Sequence, residues 1–524
     1  MWGLFVLILA MALSAAVIRS MLRLAPHVGL IDHPGEHKQH EHSTPFVGGF
    51  GVLAALLLAA GLLVWLTPAQ AVAWASLAVC ALVMWAVGLA DDRWKLGARV
   101  RLVIQAALAL IMLYGGGVVL TDLGDPFLLG TVTLGVIAVP FTVFGVVGCI
   151  NALNMVDGID GLSGTIAAGT LALVSFVTWH AGDPGGHVVA MALLGGVAGF
   201  LWFNLRFGSQ HRARVFMGDN GSMMLGLMIA WQLVAITQGE DALVPPVVAL
   251  WMFAVPLIDT LAVMARRVWL GRSPLSPDRN HLHHLLQRAG FRVEHTVAII
   301  GILHFALGLL GLLGAWLGVP EGILLAGFLS VFAAYLLLTA RPWRFVPLLR
   351  GVHRRLHLTP ALNCGVFFGN CSLQHVEEIN ALVAPELRDN TVFRTRLYEY
   401  RGDPVHAGRR YAVVQIQVDD DLAPLSYQGL YMRLLQRVMT PDRDAFVRAY
   451  VHRDPSNERR AEQRTPVSDR RLRERRVGLC VLLEESFTYV QDGRIVDQQV
   501  KPGAWPGARD KAAAPLDRPV RETH

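Results

Sequence analysis

Two adjacent aspartates, Asp91 and Asp92, end a long apolar run in WAVGLADDRWKL and are followed at once by basic residues. Further along, NALNMVDGIDGL carries Asn154, Asp157 and Asp160, and VFMGDNGSMML carries Asp219. The stretch SPDRNHLHHLLQRAGF adds Asp278, Arg279, His281, His283 and His284. Carboxylates beside a carboxamide, with no cysteine, are hard oxygen donors and favour Mg2+ or Mn2+ over zinc. A magnesium ion held in this way keeps several waters and takes further ligands from substrate phosphates. The flanking Arg and Lys, with the histidines, can neutralise more phosphate charge. These residue types therefore point to chemistry on a diphosphate.

Each motif also has a plainer reading. Asp91 and Asp92 can be an interfacial charge pair, and Asp157 and Asp160 can be turn and N-cap residues beside their glycines. Asp219 can belong to a turn that caps the following helix, and the histidines can lie on a surface or bind zinc. What capping does not account for is the placement of all these groups on one face, which follows from the elements that carry them.

With 53% hydrophobic and 16% charged residues among 524, the chain is too apolar for a set of ordinary soluble domains. Up to about residue 340 the apolar residues come in runs of roughly 17 to 21, enough to cross a bilayer as helix. The pattern predicts an α-helical polytopic membrane protein with about eleven transmembrane helices, near 2–22, 47–66, 71–90, 102–120, 131–150, 162–180, 188–204, 221–238, 245–265, 297–317 and 322–340. The first run has no basic n-region and is read as a mature helix rather than a cleaved leader.

Lys and Arg set the orientation, because positive loops stay in the cytoplasm. Segments 67–70, 115–130, 181–187, 239–244 and 318–321 contain neither residue, whereas all but one of the alternate loops are basic. The N-terminus is expected outside and the C-terminus inside. Asp91, Asp92, Asn154, Asp157, Asp160, Asp219 and the histidine stretch then share the cytoplasmic face.

Residues 341–524 change character. RYAVVQIQVD and GLCVLLEESFTYV alternate like half-buried strands, and a helix is expected near Tyr427 to Met439, giving a cytosolic α+β domain after a membrane domain over 1–340. The Arg-dense NERRAEQRTPVSDRRLRERR is read as a solvated linker in preference to an anionic-lipid or nucleic-acid patch, and it contains no recognised nucleic-acid motif. Cys80, Cys149, Cys364, Cys371 and Cys480 have no metal-binding spacing and are expected as reduced thiols.

Five ordered motifs across about residues 30 to 295 now resemble those of a known family, the polyprenyl-phosphate N-acetylhexosamine-1-phosphate transferases. They are DHPGEHKQHEHSTPFVGG, GLADDRWKLGARVRLVIQ, NALNMVDGIDGL, VFMGDNGS and SPDRNHLHHLLQRAGF. SPDRNHLHH is similar to the bacterial branch that loads N-acetylglucosamine 1-phosphate onto undecaprenyl phosphate, rather than to the muramoyl-pentapeptide branch. His37 stands where the family usually has Arg, and Lys95 where this branch often has a third Asp, as a Lys can in the muramoyl-pentapeptide branch.

The resemblance implies transfer of N-acetylglucosamine 1-phosphate from UDP-N-acetylglucosamine to undecaprenyl phosphate, with release of UMP, at the bacterial inner membrane. The product would start O-antigen or a related surface polysaccharide. Carried over by motif, Asn154 and Asp219 would bind Mg2+ or Mn2+, and Asp91 and Asp92 would act near the lipid phosphate. Asp157 and Asp160 belong to the same catalytic set. Lys38 would bind phosphate, Phe216 would lie near the uracil, and Asp278 and Arg279 would help bind substrate. His281, His283 and His284 would contact the nucleotide-sugar phosphates. Membrane lipid is the remaining expected partner, and the reading also admits a homodimer and soluble glycosyltransferases recruited by the tail, with no nucleic acid.

At pH 7 a phosphate monoester is largely dianionic and already nucleophilic, so the harder task is bringing two anions together. That favours Asp91 and Asp92 as orienting or metal-linked groups over an obligatory base. A membrane transporter is the rival reading, because carboxylates in membranes often mark ion paths. Transporter sites tend to lie near the midplane of repeated halves, however, and no such repeat is evident.

Overall fold

The structure, a computed structural model, describes residues 2–32, 44–207, 210, 212–239, 242–269, 271, 273, 280–340, 342–356, 363–368, 375–386, 391–400, 410–417, 447–452, 480–491 and 494–502. These fall into two compact units, Met1–Leu358 and Thr359–His524.

The first unit is helical: α1 (Trp2–Val28), α2 (Gly48–Leu66), α3 (Ala71–Trp94), α4 (Ala98–Gly116), α5 (Ala138–Val156), α6 (Leu162–Ala181) and α7 (Pro184–Asn204). It continues with α8 (Gly218–Ala235), α9 (Pro246–Met252), α10 (Ala254–Trp269), α11 (Leu282–Ala289), α12 (Val293–Trp316), α13 (Glu321–Thr339) and α14 (Pro342–Arg355). Without water to satisfy backbone groups in a bilayer, apolar runs of this length close their hydrogen bonds within themselves as helices. Among the described residues nine helices are long and apolar enough to cross a membrane. The protein is therefore a multi-pass membrane protein.

Two of the eleven expected spans differ from simple crossings. The run expected at 221–238 forms α8, which starts in polar residues and is buried continuously from Asn220 to Val234, enclosed by α2, α3, α5 and α6. Its role is to be the centre of the bundle rather than a lipid-facing wall. The run expected at 245–265 is broken at Phe253 into α9 and α10, bent by 81°, and makes a tenth crossing only if the pair is counted as one span. The carbonyl of Met252 at this break is met by the Thr170 hydroxyl from α6 at 3.0 Å, which satisfies the backbone group the break releases.

A small antiparallel pair, β1 (Ile31–Asp32) with β2 (Thr44–Pro45), closes the base of the segment 33–43. The unit extends past the last apolar run to α14, which packs on α11 and α13, with Phe291 edge-on to the buried His353 at 4.8 Å.

The second unit is a six-stranded antiparallel sheet of β3 (Asn363–Phe368), β4 (Thr391–Tyr400), β5 (Arg410–Gln417), β6 (Val447–His452), β7 (Cys480–Gln491) and β8 (Arg494–Pro502), in the order β6-β3-β5-β4-β7-β8. One helix, α15 (Val376–Val383), packs on β4, β7 and β8, and Asn380 beneath it hydrogen-bonds Ser486, Thr488 and Thr395. The strands expected from RYAVVQIQVD and GLCVLLEESFTYV are β5 and β7. The expected helix at Tyr427 to Met439 and the Arg-dense stretch lie outside the described residues.

Candidate active site

The site is built where α8 begins. Gly218 enters the helix with φ +72, a conformation natural to glycine, and leaves the first amides of α8 without partners from their own chain neighbours. Asp92, from the end of α3, supplies the cap from another helix. Its Oδ1 accepts from the Asp219 amide at 2.9 Å, and its Oδ2 from the Asn220 amide at 3.1 Å and the Asn220 Nδ2 at 2.7 Å. A carboxylate placed here also meets the positive end of the α8 dipole.

This close approach depends on small residues. A Cβ at Gly88 would lie 2.4 Å from the backbone of Asp219 and Asn220, and one at Gly49 would lie 2.1 Å from Asn220 Oδ1. Neither contact is tolerable without moving α8.

With α8 fixed, Asp219 faces Asn154 from the end of α5. The Asn154 Nδ2 donates to Asp219 Oδ1 at 2.7 Å and to Ser222 Oγ at 2.9 Å. A half-turn of a carboxamide exchanges its oxygen and nitrogen, so this pair can present two hard oxygens to one point. Among the described residues no group of three or more His, Cys, Asp and Glu side chains converges as a metal-ligand cluster. Asp91, beside Asp92, is buried and paired with Arg101 from the first turn of α4.

The loop from α5 to α6 forms a second wall. Asp157 accepts a short hydrogen bond from the Ser163 hydroxyl. Burial pushes the Asp157 carboxyl up to about 7; Ser163 opposes this, while the charges of Asp92 and Asp160 add to it. Asp160 turns to the end of α7, where its Oδ2 accepts from Arg206 Nε at 2.8 Å and the Ala213 amide at 3.0 Å. Asn204 bridges the same region, taking the Gly161 amide and donating to the Val215 carbonyl at 2.7 Å.

The histidines form a third wall on α11. His281 and His283 are buried with their rings stacked 5.8 Å apart, and the His283 and His284 ring centres are 4.1 Å apart. His283 reaches the Asp157 loop, since a Cβ at Gly158 would lie 2.7 Å from its Nε2. Burial pushes the His283 imidazole down to about 3; His281 and Arg288 add to this and Asp259 opposes it. The His283 Nε2 is buried and meets no hydrogen-bond partner among the described residues.

Phe216 is two residues ahead of the Gly218 turn. Its amide donates to the Pro45 carbonyl at 2.9 Å, and its carbonyl accepts from the Gly48 amide at 3.0 Å. The base of segment 33–43 is thereby tied to the approach to Asp219. Lys38, Asp278 and Arg279 lie outside the described residues, as do His37 and His40.

Of the residues singled out by sequence, the fold therefore joins Asp91, Asp92, Asn154 and Asp219 at one point. It sets the loop of Asp157 and Asp160 against His283. Sequence reading took Asn220 and Ser222 only as part of a turn capping the following helix, and passed over Ser163, Asn204 and Asp259. Asp259 had a usable signal: it is the one acidic residue inside the apolar run 245–265, and an ionisable group at such a depth marks function.

Comparison with known proteins places the chain among relatives. The glycosyl transferase family 4 profile matches residues 74–237, from α3 to just past α8. The chain is 36% identical over 335 residues to the undecaprenyl-phosphate alpha-N-acetylglucosaminyl 1-phosphate transferase of Escherichia coli (strain K12), covering 64% of this chain and 90% of the relative. To the protein of the same name from Haemophilus influenzae it is 36% identical over 359 residues, covering 68% of this chain and 98% of the relative.

Proposed function

The chain belongs to glycosyl transferase family 4 and is a polyprenyl-phosphate sugar-phosphate transferase, and from that premise we propose that it moves N-acetylglucosamine 1-phosphate from UDP-N-acetylglucosamine to undecaprenyl phosphate. UMP is released, and the lipid-linked sugar begins a surface polysaccharide of the O-antigen kind at the cytoplasmic face of the bacterial inner membrane. The observation that carries this reading is the meeting of Asp92, Asn154 and Asp219 from three helices at the start of α8.

In the reaction a phosphate oxygen of the lipid attacks the phosphorus that bears the sugar. A new P–O bond forms as the bond to the bridging oxygen breaks, and that oxygen leaves with UMP. Mg2+, or Mn2+, held by Asp219 and Asn154 would supply charge neutralisation on the diphosphate. The rest falls to the protein. Asp92 holds the α8 terminus and so orients Asp219, Arg101 offsets the charge of Asp91, and Asp160 with Arg206 fixes the loop that carries Asp157. Asp92 has both oxygens engaged by α8, which suits positioning better than proton acceptance.

The donor is tested by offering purified protein UDP-N-acetylglucosamine, UDP-N-acetylgalactosamine and UDP-muramoyl-pentapeptide, each with undecaprenyl phosphate. Clear preference for the first, with UMP as the nucleotide product, is expected. Equal or better turnover of the pentapeptide donor would mean that Lys95 was the better guide to the branch.

A further inference from the structure

Asp259 sits on α10, inside the bundle and 3% exposed, where an ionised carboxylate is costly unless donors surround it. Donors do surround it. His281 Nδ1 lies 2.8 Å from its Oδ2, the Leu282 amide donates to Oδ1 at 3.0 Å, and the Tyr335 hydroxyl from α13 donates to the same Oδ1. A backbone N–H and a phenol directed at one oxygen define the group as acceptor, so the His281 nitrogen facing the other oxygen carries the proton. Three elements, α10, α11 and α13, meet at this one side chain. His281 is also the N-cap residue of α11, so the same carboxylate that sets its ring also secures the first amide of the helix that presents His283 and His284.

We propose that Asp259 is a positioning residue for the transfer reaction: it holds His281 as the Nδ1–H form and aims Nε2 at the phosphates of the nucleotide-sugar. Tyr335 locks the carboxylate in turn. The inference rests on the proposed role of His281 at the donor phosphates. With Nδ1 turned to Asp259, Nε2 is the ring nitrogen that the carboxylate leaves to face away from it. A carboxylate behind a histidine fixes both the ring plane and the tautomer, and loss of such a partner costs about 10- to 100-fold in related settings.

Two measurements on the full-length protein test the proposal. The first needs no substrate: 15N spectra of the histidine-labelled protein, assigned with His281→Ala, should show His281 protonated at Nδ1, and Asp259→Asn should disturb that state. An Nε2-protonated or mixed ring in the unaltered protein overturns the proposal whatever the donor. The second is a double-mutant cycle on UMP release. Asp259→Asn and His281→Ala should each lower kcat/KM for the UDP-sugar by about 30-fold, leave KM for undecaprenyl phosphate within about twofold, and cost no more together than apart. Losses that multiply show that Asp259 acts independently of His281 and overturn the proposal. Absence of turnover by the unaltered protein would refute the donor assignment instead, leaving the spectral test to decide. Should Asp259→Asn not fold, Tyr335→Phe removes a single donor and should lower the same kcat/KM about threefold, and only while His281 is present.

Discussion

At one end of the helical unit Asp92 accepts from the start of α8, 127 residues away in the chain, and Asp160 from Arg206 and Ala213, 46 and 53 residues away. At the other end Asp183 caps its own helix through the Gly186 amide, Asp122 holds Gly124, and Asp125 holds Leu129 and Gly130. Longer links exist there too, such as Glu321 to the Asp125 amide and Gln238 to Thr121, but they staple loops and bring in no Lys or Arg. Both ends are thus rich in carboxylates, but they use them differently. Among the described residues, local turns satisfy most of the carboxylates at the second end. At the first end the acids depend on other helices, and Asp219 shares its position with a carboxamide that can also bind a metal. Acidity alone does not mark a site; convergence from distant elements does.

The most severe test of this contrast is Asp219→Asn, which keeps size and removes charge. UMP release should fall by about a thousandfold or more while the protein still inserts and elutes normally. Near-normal magnesium-dependent turnover would reduce Asp219 to a turn residue and erase the difference between the ends. Asp92→Asn comes next, with a loss of about a hundredfold, because an amide cannot accept from all the donors that α8 presents. Initial rates between pH 6 and 9 sharpen the point: recovery at high pH would make Asp92 a base for the lipid monoanion, whereas no recovery is expected of a positioning group.

Shortening the chain gives a smaller effect and locates the limit of the site end. A chain ending at Leu358 keeps α14 on the histidine helix and should retain turnover within about threefold in detergent. Ending it at Ala340 removes the Phe291–His353 contact and should cost about tenfold, read as the same rate on protein of matched monodispersity. Inactivity of the longer, well-folded chain would mean that residues after 358 take part in the chemistry. The smallest effect is expected at the far end. Glu321→Gln should change turnover by less than about twofold and the melting temperature by a few degrees at most. A large loss of activity from this change would break the comparison.

The membrane class, the segregation of the acidic motifs to one side and the pairing of Asn154 with Asp219 were legible from runs of hydropathy, loop charge and family motifs. These are properties of contiguous chain, since about twenty apolar residues bury their own backbone wherever they are placed. Only the tertiary structure decided that α8 is enclosed, that the next run breaks at Phe253, and that Asp92 caps a helix more than a hundred residues away. It likewise decided that His281 rests on Asp259 and Tyr335. Those outcomes turn on which helices approach closely, through glycines such as Gly49 and Gly88, and on donors and acceptors whose pairing has no local spacing to announce it. A sequence records that a buried carboxylate needs partners, but the packing of the helices selects them.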